Sequence, residues 1–165
     1  MFSCIPKANK IMLNQLKTRI PPPVYLVLTA TLMWLLNDHL PLYDLFDLPW
    51  RYAGLVLIFL AGLSDLWSLT LFLKLHTTPN PMKPGAATHL VTTGLYRCSR
   101  NPMYLGMSLM LVGWWIWLGS LTPILLLPVF VFILTKMQIE PEEEALEARF
   151  GEEYLNYKRR VSRWL

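Results

Sequence analysis

Charge is scarce in this sequence, and it is confined to a few places. Charged residues make up 16% of the 165 residues and hydrophobic residues 54%, whereas roughly 25% of an average soluble protein is charged. The charges cluster in the amino-terminal segment, a middle loop and the carboxyl-terminal tail. This distribution predicts a small membrane protein with several spans, because long uncharged stretches are typical of helices in lipid.

Cysteine is nearly absent too, since Cys4 and Cys98 are the only two. Neither lies in a Cys-x-x-Cys spacing, so the sequence predicts neither a disulfide framework nor a metal site. The basic residues flank apolar stretches and form no basic domain of their own, which argues against nucleic acid as a partner. No cleaved signal peptide is predicted, because the first apolar run begins only at Val24.

Four apolar stretches of helical length follow one another along the chain. The first is short for a span of about 20 residues, and the last two are at the lower limit. The last two join at Gly119-Ser120, and such a tight join predicts an antiparallel helical hairpin. We therefore predict an all-α, polytopic membrane protein with about four transmembrane helices. The stretches cover residues 24–36, 51–75, 103–119 and 121–137.

Lysine and arginine predict the orientation of these helices. The two ends and the middle loop are basic, whereas the loop from Asp38 to Trp50 has three aspartates and no lysine or arginine. The positive-inside rule then predicts both termini and the middle loop in the cytoplasm. We expect one membrane domain over 1–165, made of a basic segment (1–23), two spans (24–75) and a part with loop, hairpin and tail (76–165).

A polar, turn-rich stretch over residues 92–106 separates two apolar regions. Its arginines stand at the foot of a buried helix, where a cation is costly unless it binds an anion or lies in water. The span parity brings this loop and the polar tail to one membrane face. The side chains expected to converge there are His89, Tyr96, Arg97, Arg100, Asn101, Tyr104, Glu140, Glu142 and Glu143.

Cations, carboxylates and aromatic rings together suit a zwitterionic ligand with a flat ring. S-adenosylmethionine is such a ligand, with a carboxylate for an arginine, an ammonium for a glutamate and a sulfonium for an aromatic face. A structural cluster at the membrane surface explains the same residues equally well. Asp65, inside the second span, is a further functional candidate, although an interhelical hydrogen bond or a position near the interface would also account for it.

The run HLVTTGLYRCSRNPMYLG, with PEEEALEARFGEEYLNYKRRVSRWL after the hairpin, resembles the isoprenylcysteine carboxyl methyltransferase and phospholipid methyltransferase family. The resemblance covers about the second half of the chain. Asn101 stands where the eukaryotic carboxyl methyltransferases have histidine, and asparagine cannot carry a proton near neutral pH. The Arg-Asn-Pro-Met-Tyr-Leu-Gly form is similar to small bacterial members, which implies the bacterial inner membrane. The matching residues are His89, Gly94, Tyr96, Arg97, Arg100, Pro102, Tyr104, Gly106, Glu142, Glu143, Phe150, Gly151, Tyr154 and Tyr157.

The resemblance implies an S-adenosylmethionine-dependent methyltransferase acting on a lipid-like or small hydrophobic acceptor through a carboxylate, thiol or amine. It implies Arg100, Asn101 and Glu143 as catalytic residues and no metal. Asp65, His76 or a tail glutamate could serve as a base. The implied cofactor-binding residues are His89, Leu90, Gly94, Tyr96, Asn101, Pro102, Tyr104, Glu142 and Glu143.

Two other functions stay open at this point. Sterol reductases that use NADPH share a similar carboxyl-terminal pattern, but they are usually longer and have more spans. A small membrane scaffold that binds lipid head groups would also place a polar cluster at the membrane surface. The bilayer is a partner under every interpretation, a lipophilic acceptor under the enzymatic one, and the oligomeric state is open.

Overall fold

The architecture is all-helical in a computed structural model that describes residues 20–74 and 89–165. The predictions for residues 1–19 and 75–88, including His76, lie outside the described residues, as do the side chains of residues 72–74. In the described part, the backbone segments at Asp44 and Ser120 form one isolated β-bridge. The described residues contain no strand longer than this bridge. The helices are α1 (Pro22–His39), α2 (Leu48–Lys74), α3 (Pro102–Leu118), α4 (Leu126–Leu134), α5 (Glu140–Phe150) and α6 (Glu152–Arg160).

Helices α2 and α3 pack along each other through a seam of small residues. On α2, Gly54, Ala61 and Ser68 are buried, and on α3 Gly106 and Gly113 are buried. Successive members are seven residues apart, so each set lies on one helix face. A Cβ added at Gly113 would come within 2.6 Å of the Gly54 carbonyl oxygen. Small side chains thus let the two backbones approach closely, as is common between membrane helices.

A hydrophobic cluster joins α1, α3 and the helical run that follows. Trp114 of α3 donates a hydrogen bond from its Nε1 to the carbonyl oxygen of Ala30 in α1, at 3.0 Å. Burying such residues stabilises the fold by about 1.5–3 kcal/mol for each large side chain. The buried members are Met33, Tyr104, Met107, Leu111, Leu118, Phe130, Leu134 and Ile139.

The outward faces of α1 and α2 carry large apolar side chains. Trp34 is 50% exposed, Phe59 66% and Trp67 61%, and a contiguous apolar surface of this kind marks contact with lipid or a partner. In α2, Leu48–Leu71 is long and apolar enough to cross a membrane, and only 17% of its apolar window is buried. The low burial separates it from the core helix of a soluble protein.

A second run of membrane-crossing length covers Thr122–Phe150. It begins with a 3₁₀ turn (Thr122–Leu125), continues through α4 and a π-helical turn (Thr135–Ile139), and ends with α5. Helix α3 is apolar but shorter. The all-α class is confirmed, and the structure supports a membrane protein. The four-span topology and the hairpin stay predictions.

The helix after the turn differs from the predicted apolar run over 121–137. The structure joins that run to the polar segment, so that helical backbone extends from Thr122 to Phe150. The π-helical turn comes directly before α5, whose first turn contains Pro141. Proline has no backbone N–H and cannot donate the regular helical hydrogen bond at this place. The helical run breaks at Phe150–Gly151, where α5 ends and Gly151 has a φ of 51°.

The turn after α3 is held by the loop before α2. Gly119, with a φ of 91°, accepts a hydrogen bond from the backbone N–H of Leu45 at 2.8 Å. The N–H of Leu121 donates to the carbonyl oxygen of Tyr43 at 2.9 Å. A Cβ on Gly119 would overlap the Arg51 guanidinium. We call residues 40–47 and 119–122 the turn end of the molecule.

Candidate functional site

The loop before α3 and the end of the tail are in direct contact. The backbone N–H of Arg100 donates to the carbonyl oxygen of Ser162 at 3.0 Å. Ser99 donates from Oγ to the carbonyl oxygen of Arg163 at 3.3 Å, and Asn101 donates from Nδ2 to the same oxygen at 3.1 Å. The side chain of Asn101, predicted to line the cofactor, therefore holds the tail.

Glu143 lies between two arginines and is 6% exposed. Its Oε1 is 3.0 Å from Nη1 of Arg100. Arg163 donates from Nε to Oε1 at 3.1 Å and from Nη2 to Oε2 at 2.7 Å. This bidentate contact, typical of strong arginine–carboxylate pairs, raises the pKa of Arg163. Two cations thus share the one carboxylate of Glu143.

The neighbouring glutamate, Glu142, has a different partner. The hydroxyl of Tyr104 donates to its Oε1 at 2.6 Å. Adjacent positions on a helix point about 100° apart, so Glu142 and Glu143 reach different groups. Glu142 contacts a neutral hydroxyl, whereas Glu143 is neutralised by arginines.

Three further tyrosines surround the two glutamates. The hydroxyl of Tyr157 donates to the backbone carbonyl oxygen of Tyr96 at 2.7 Å, and Tyr154 accepts from Nη1 of Arg100 at 3.4 Å. Burial raises the pKa of Tyr154 to about 12. Burial also raises the pKa of Tyr96 and of Tyr157. These hydroxyls stay neutral at physiological pH and act as hydrogen-bonding groups.

Two charged groups at this end of the bundle have buried atoms with no hydrogen-bond partner among the described residues. They are the Nε of Arg100, a donor, and the Oδ1 of Asp65, an acceptor. An unsatisfied buried polar group costs about 1–3 kcal/mol, and more when it is charged. Such groups are uncommon in native proteins, and each needs an explanation. A bound ligand is one.

The remaining predicted residues lie around this cluster. Gly94 has a φ of 63°, and a Cβ there would be 2.8 Å from Cδ1 of Leu71. Pro102 is buried in the first turn of α3, Leu90 is half-buried and His89 is exposed.

Two side chains expected to converge, Glu140 and Arg97, make no hydrogen bond or ion pair with the described residues of the cluster, although the charge of Glu140 also raises the pKa of Arg163. Glu140 pairs with Lys136 at 2.6 Å, one helical turn earlier. Arg97 is exposed, and it makes no hydrogen bond or ion pair with residues 20–74 and 89–165.

Sequence reasoning missed Arg163 and the backbone of Ser162. Arg163 is one of several basic residues in the tail, and nothing in its spacing separates it from the others. Tyr154 and Tyr157 carried a signal, because three residues apart on a helix they share a face. Their rings lie 6.3 Å apart and tilted by 59°.

The model of the phospholipid methyltransferase family matches residues 50–153. This is more than half of the chain, and it extends from the first turn of α2 to the first turn of α6. The chain therefore belongs to the phospholipid methyltransferase family, and the resemblance seen in the sequence is confirmed.

Individual relatives agree with this assignment. An uncharacterized protein of Haemophilus influenzae is 43% identical over 63 residues, which is all of that protein and 38% of this chain. Protein-S-isoprenylcysteine O-methyltransferase of Mus musculus is 40% identical over 82 residues, 45% of this chain and 26% of the mouse enzyme. The Saccharomyces cerevisiae enzyme of the same name is 40% identical over 75 residues, 44% of this chain and 30% of the yeast enzyme. No solved structure matches the chain.

The match thus covers between a quarter and a third of the two named enzymes. The family and the exposed apolar helices together define a membrane methyltransferase. The methyl donor, the acceptor and the roles of single residues are separate questions.

Proposed function

We propose that the protein transfers a methyl group from S-adenosylmethionine to a lipid-like acceptor at the membrane surface. The observation that carries the proposal is the buried guanidinium of Arg100, whose Nε has no hydrogen-bond partner among residues 20–74 and 89–165. Its Nη1 is already used by Glu143 and Tyr154. A carboxylate, such as that of the donor's methionine part, would satisfy the remaining N–H with a charge-assisted hydrogen bond.

The other residues present also fit this ligand. Glu142 has one oxygen on Tyr104, and its charge suits the ammonium of the donor. The aromatic faces of Tyr96 and Tyr104 suit a sulfonium, because an aromatic ring attracts a cation over its face. Glu143 is already paired with two arginines, so its role in this proposal is to hold Arg100 in place.

Methyl transfer asks for alignment more than for acid–base chemistry. S-adenosylmethionine, when bound, supplies an activated methyl group on its sulfonium. The chain's own residues bind the donor, orient it and keep water away, which together can supply much of the rate enhancement. The arginines and the neutral tyrosine hydroxyls fix the orientation, and the packing of the tail against residues 99–101 excludes water.

The proposal includes a topology. Both termini and the site lie on the cytoplasmic face of the bacterial inner membrane, with four spans, so that the donor arrives from water. The acceptor arrives from the lipid, next to the apolar outer face of α2. Family membership favours a methyl donor over NADPH.

The experiment is calorimetric titration of S-adenosylmethionine, and separately of NADPH, into the detergent-purified protein. We expect the wild type to bind S-adenosylmethionine, and Arg100→Ala to lower the affinity at least about tenfold, equivalent to about 1.4 kcal/mol. Arg97→Ala is the matched control, because that arginine is exposed and nearby in sequence. Binding of NADPH alone would support the reductase, and binding of neither ligand would support the scaffold.

A further inference from the structure

Arg163 lies in the short segment that follows α6, and it is bound through both its backbone and its side chain. Its carbonyl oxygen accepts hydrogen bonds from Oγ of Ser99 and Nδ2 of Asn101, in the loop before α3. Its guanidinium binds Glu143 of α5. One residue therefore joins the two elements that carry Arg100 and Glu143.

The two arginines share the Glu143 carboxylate unequally. Arg163 makes a bidentate contact, with its Nε 3.1 Å from Oε1 and its Nη2 2.7 Å from Oε2. Arg100 approaches Oε1 through its Nη1, at 3.0 Å. The Nε of Arg100 takes no part in the contact, since it has no hydrogen-bond partner among the described residues.

This unequal sharing decides what the Arg100 guanidinium can bind. Arginine and carboxylate groups frequently form a bidentate pair, in which two N–H groups meet two oxygens. Such a pair between Arg100 and Glu143 could use the Nε–H of Arg100, as Arg163 uses its own. Because Arg163 already occupies both oxygens of Glu143, Arg100 is restricted to its Nη1. Its Nε–H is thereby kept from Glu143.

We propose that Arg163 is a positioning residue, which holds Glu143 in a bidentate contact and so keeps the Nε of Arg100 available for the carboxylate of S-adenosylmethionine. The inference rests on the proposed function. Arg163 acts through Glu143 and does not itself touch the ligand. Without Arg163, both oxygens of Glu143 could turn to Arg100 and compete with the carboxylate of the ligand for the same N–H.

Exposure makes Arg163 the member of this group that can be changed with the least harm to the fold. Its side chain is 33% exposed, against 9% for Arg100 and 8% for Glu143. The hydrogen bonds to its carbonyl oxygen do not depend on its side chain. Trp164, the next residue, packs against the hydrophobic cluster. A shortened side chain at position 163 therefore leaves the segment with other attachments.

The test compares two ligands that differ in the carboxylate, S-adenosylmethionine and decarboxylated S-adenosylmethionine. Each is titrated calorimetrically into the detergent-purified protein. We expect the wild type to prefer S-adenosylmethionine at least about tenfold, as for one hydrogen bond between charged groups. Arg163→Ala should lose most of this preference, while its affinity for the decarboxylated compound changes by less than about twofold. Equal losses for both ligands would overturn the assignment, because a general structural role does not discriminate between them.

A second substitution tests the competition by Glu143. In the background of Arg163→Ala, Glu143→Gln should raise the affinity for S-adenosylmethionine, because a neutral amide with one acceptor oxygen competes less for Arg100 than a carboxylate does. A role in folding alone predicts the opposite, since the double variant has lost a further ionic contact. A double variant that binds no better than Arg163→Ala would contradict the proposal.

Arg163→Lys tests the bidentate contact, and it also guards against an alanine variant that fails to fold. Lysine keeps the charge but presents it as a point charge without the planar fork. We expect this variant to unfold near the wild-type temperature and to keep a reduced preference for S-adenosylmethionine. Full recovery of the preference would show that charge alone suffices, and would overturn the role of the bidentate contact.

Arg160→Ala is the matched control in the tail. Arg160 is exposed, and its Nε donates within its own helix, to the carbonyl oxygen of Asn156 at 3.3 Å. Its replacement should leave both affinities unchanged. An equal loss of preference in Arg160→Ala would show that the basic tail acts through its overall charge, which would contradict the specific role of Arg163.

The wild type separates a failure of this inference from a failure of the proposed function. If it binds both ligands equally, S-adenosylmethionine stays the methyl donor, but Arg100 and Arg163 have no part in recognising its carboxylate. If it binds neither ligand, the proposed function is contradicted, and this inference with it.

Discussion

The two ends of the helix bundle treat their polar groups differently. At the turn end, backbone N–H groups of Leu45, Phe46 and Leu121 donate to carbonyl oxygens across the contact. Ser120 donates from Oγ to Oδ1 of Asn37 at 2.6 Å. Among the described residues, no buried side-chain atom of this end lacks a hydrogen-bond partner.

The other end contains charged side chains, and some of its buried polar atoms have no hydrogen-bond partner among the described residues. In the described part of the chain, the buried side-chain atoms without a partner belong to Tyr25, Asp65, Arg100 and Gln138. None of these residues lies at the turn end. Arg100 and Asp65 flank the tyrosine and glutamate cluster, and Gln138 lies just before α5, where its Nε2 donates to the carbonyl oxygen of Ile20. This difference supports the proposal that the second end is where the protein binds its ligand.

The largest loss is expected when the charge of Glu143 is removed. Glu143→Ala leaves the buried Arg100 and the half-buried Arg163 without their carboxylate, and breaking a buried pair typically costs about 3–5 kcal/mol. Thermal unfolding in detergent would measure the loss, and S-adenosylmethionine affinity should fall with it. Glu144→Ala, one residue further and exposed, is the control. Equal stability of the two variants would contradict the structural role of Glu143.

A smaller loss, restricted to stability, is expected at the turn end. Gly119→Ala places a side chain at a φ of 91° and against the Arg51 guanidinium, which should cost about 1–3 kcal/mol. The melting temperature should fall, while the affinity of the folded protein for S-adenosylmethionine stays the same.

Gly151→Ala is the matched variant, because Gly151 has a φ of 51° with nothing within 4 Å of its added Cβ. It reports the backbone strain without the steric overlap, so its effect should be the smaller of the two. A change of donor affinity in Gly119→Ala would show that the turn end is not independent of the site.

The Tyr104 hydroxyl should matter more for binding than for folding. Tyr104→Phe removes the hydroxyl that donates a hydrogen bond to Glu142. It should weaken the binding of S-adenosylmethionine by about 1–2 kcal/mol, since the lost hydrogen bond is to a charged carboxylate. Calorimetry would measure this. Tyr43→Phe is the control at the turn end, because that ring is 68% exposed and its residue contributes through the backbone. Unchanged affinity in Tyr104→Phe would remove Glu142 from the donor site.

The smallest effect is expected on the exposed side of the tail. Lys136→Ala breaks an ion pair with Glu140, four residues along the helix. Exposed pairs of this spacing contribute about 0.3–0.5 kcal/mol. Thermal unfolding at low and high salt should show a difference that disappears as salt screens the pair. A loss as large as that of Glu143→Ala would show that Glu140 belongs to the charged cluster.

The parts of the fold that follow local rules could be predicted from the sequence. The all-helical class follows from the long apolar stretches, and the break at Phe150–Gly151 follows from a residue that tolerates a positive φ. The division between Glu142 and Glu143 could not be predicted. Both are acidic and adjacent, and only the packing of α5 decides which side chain meets the arginines and which meets Tyr104.

The continuity of the helical run over Thr122–Phe150 could not be predicted from the sequence either. The composition changes from apolar to polar near Gln138, and Pro141 is a residue typical of a first helical turn. Composition reports the surroundings of a helix rather than its ends, so one helical run can pass from one environment to another. Arg163 escaped for another reason, because its role depends on the path of the chain after Arg160.

The seven-residue seam between α2 and α3 has a consequence for tolerance to mutation. At Gly54, Ala61 and Ser68 only the smallest side chains leave the backbone contact intact, whereas their outward neighbours Leu55, Leu63 and Leu66 are exposed. In a library of all single substitutions, loss of function should recur at every seventh position of α2, with apolar exchanges accepted between. The seven-residue spacing of the sensitive positions would identify the face of α2 that packs against α3 and places Asp65 there.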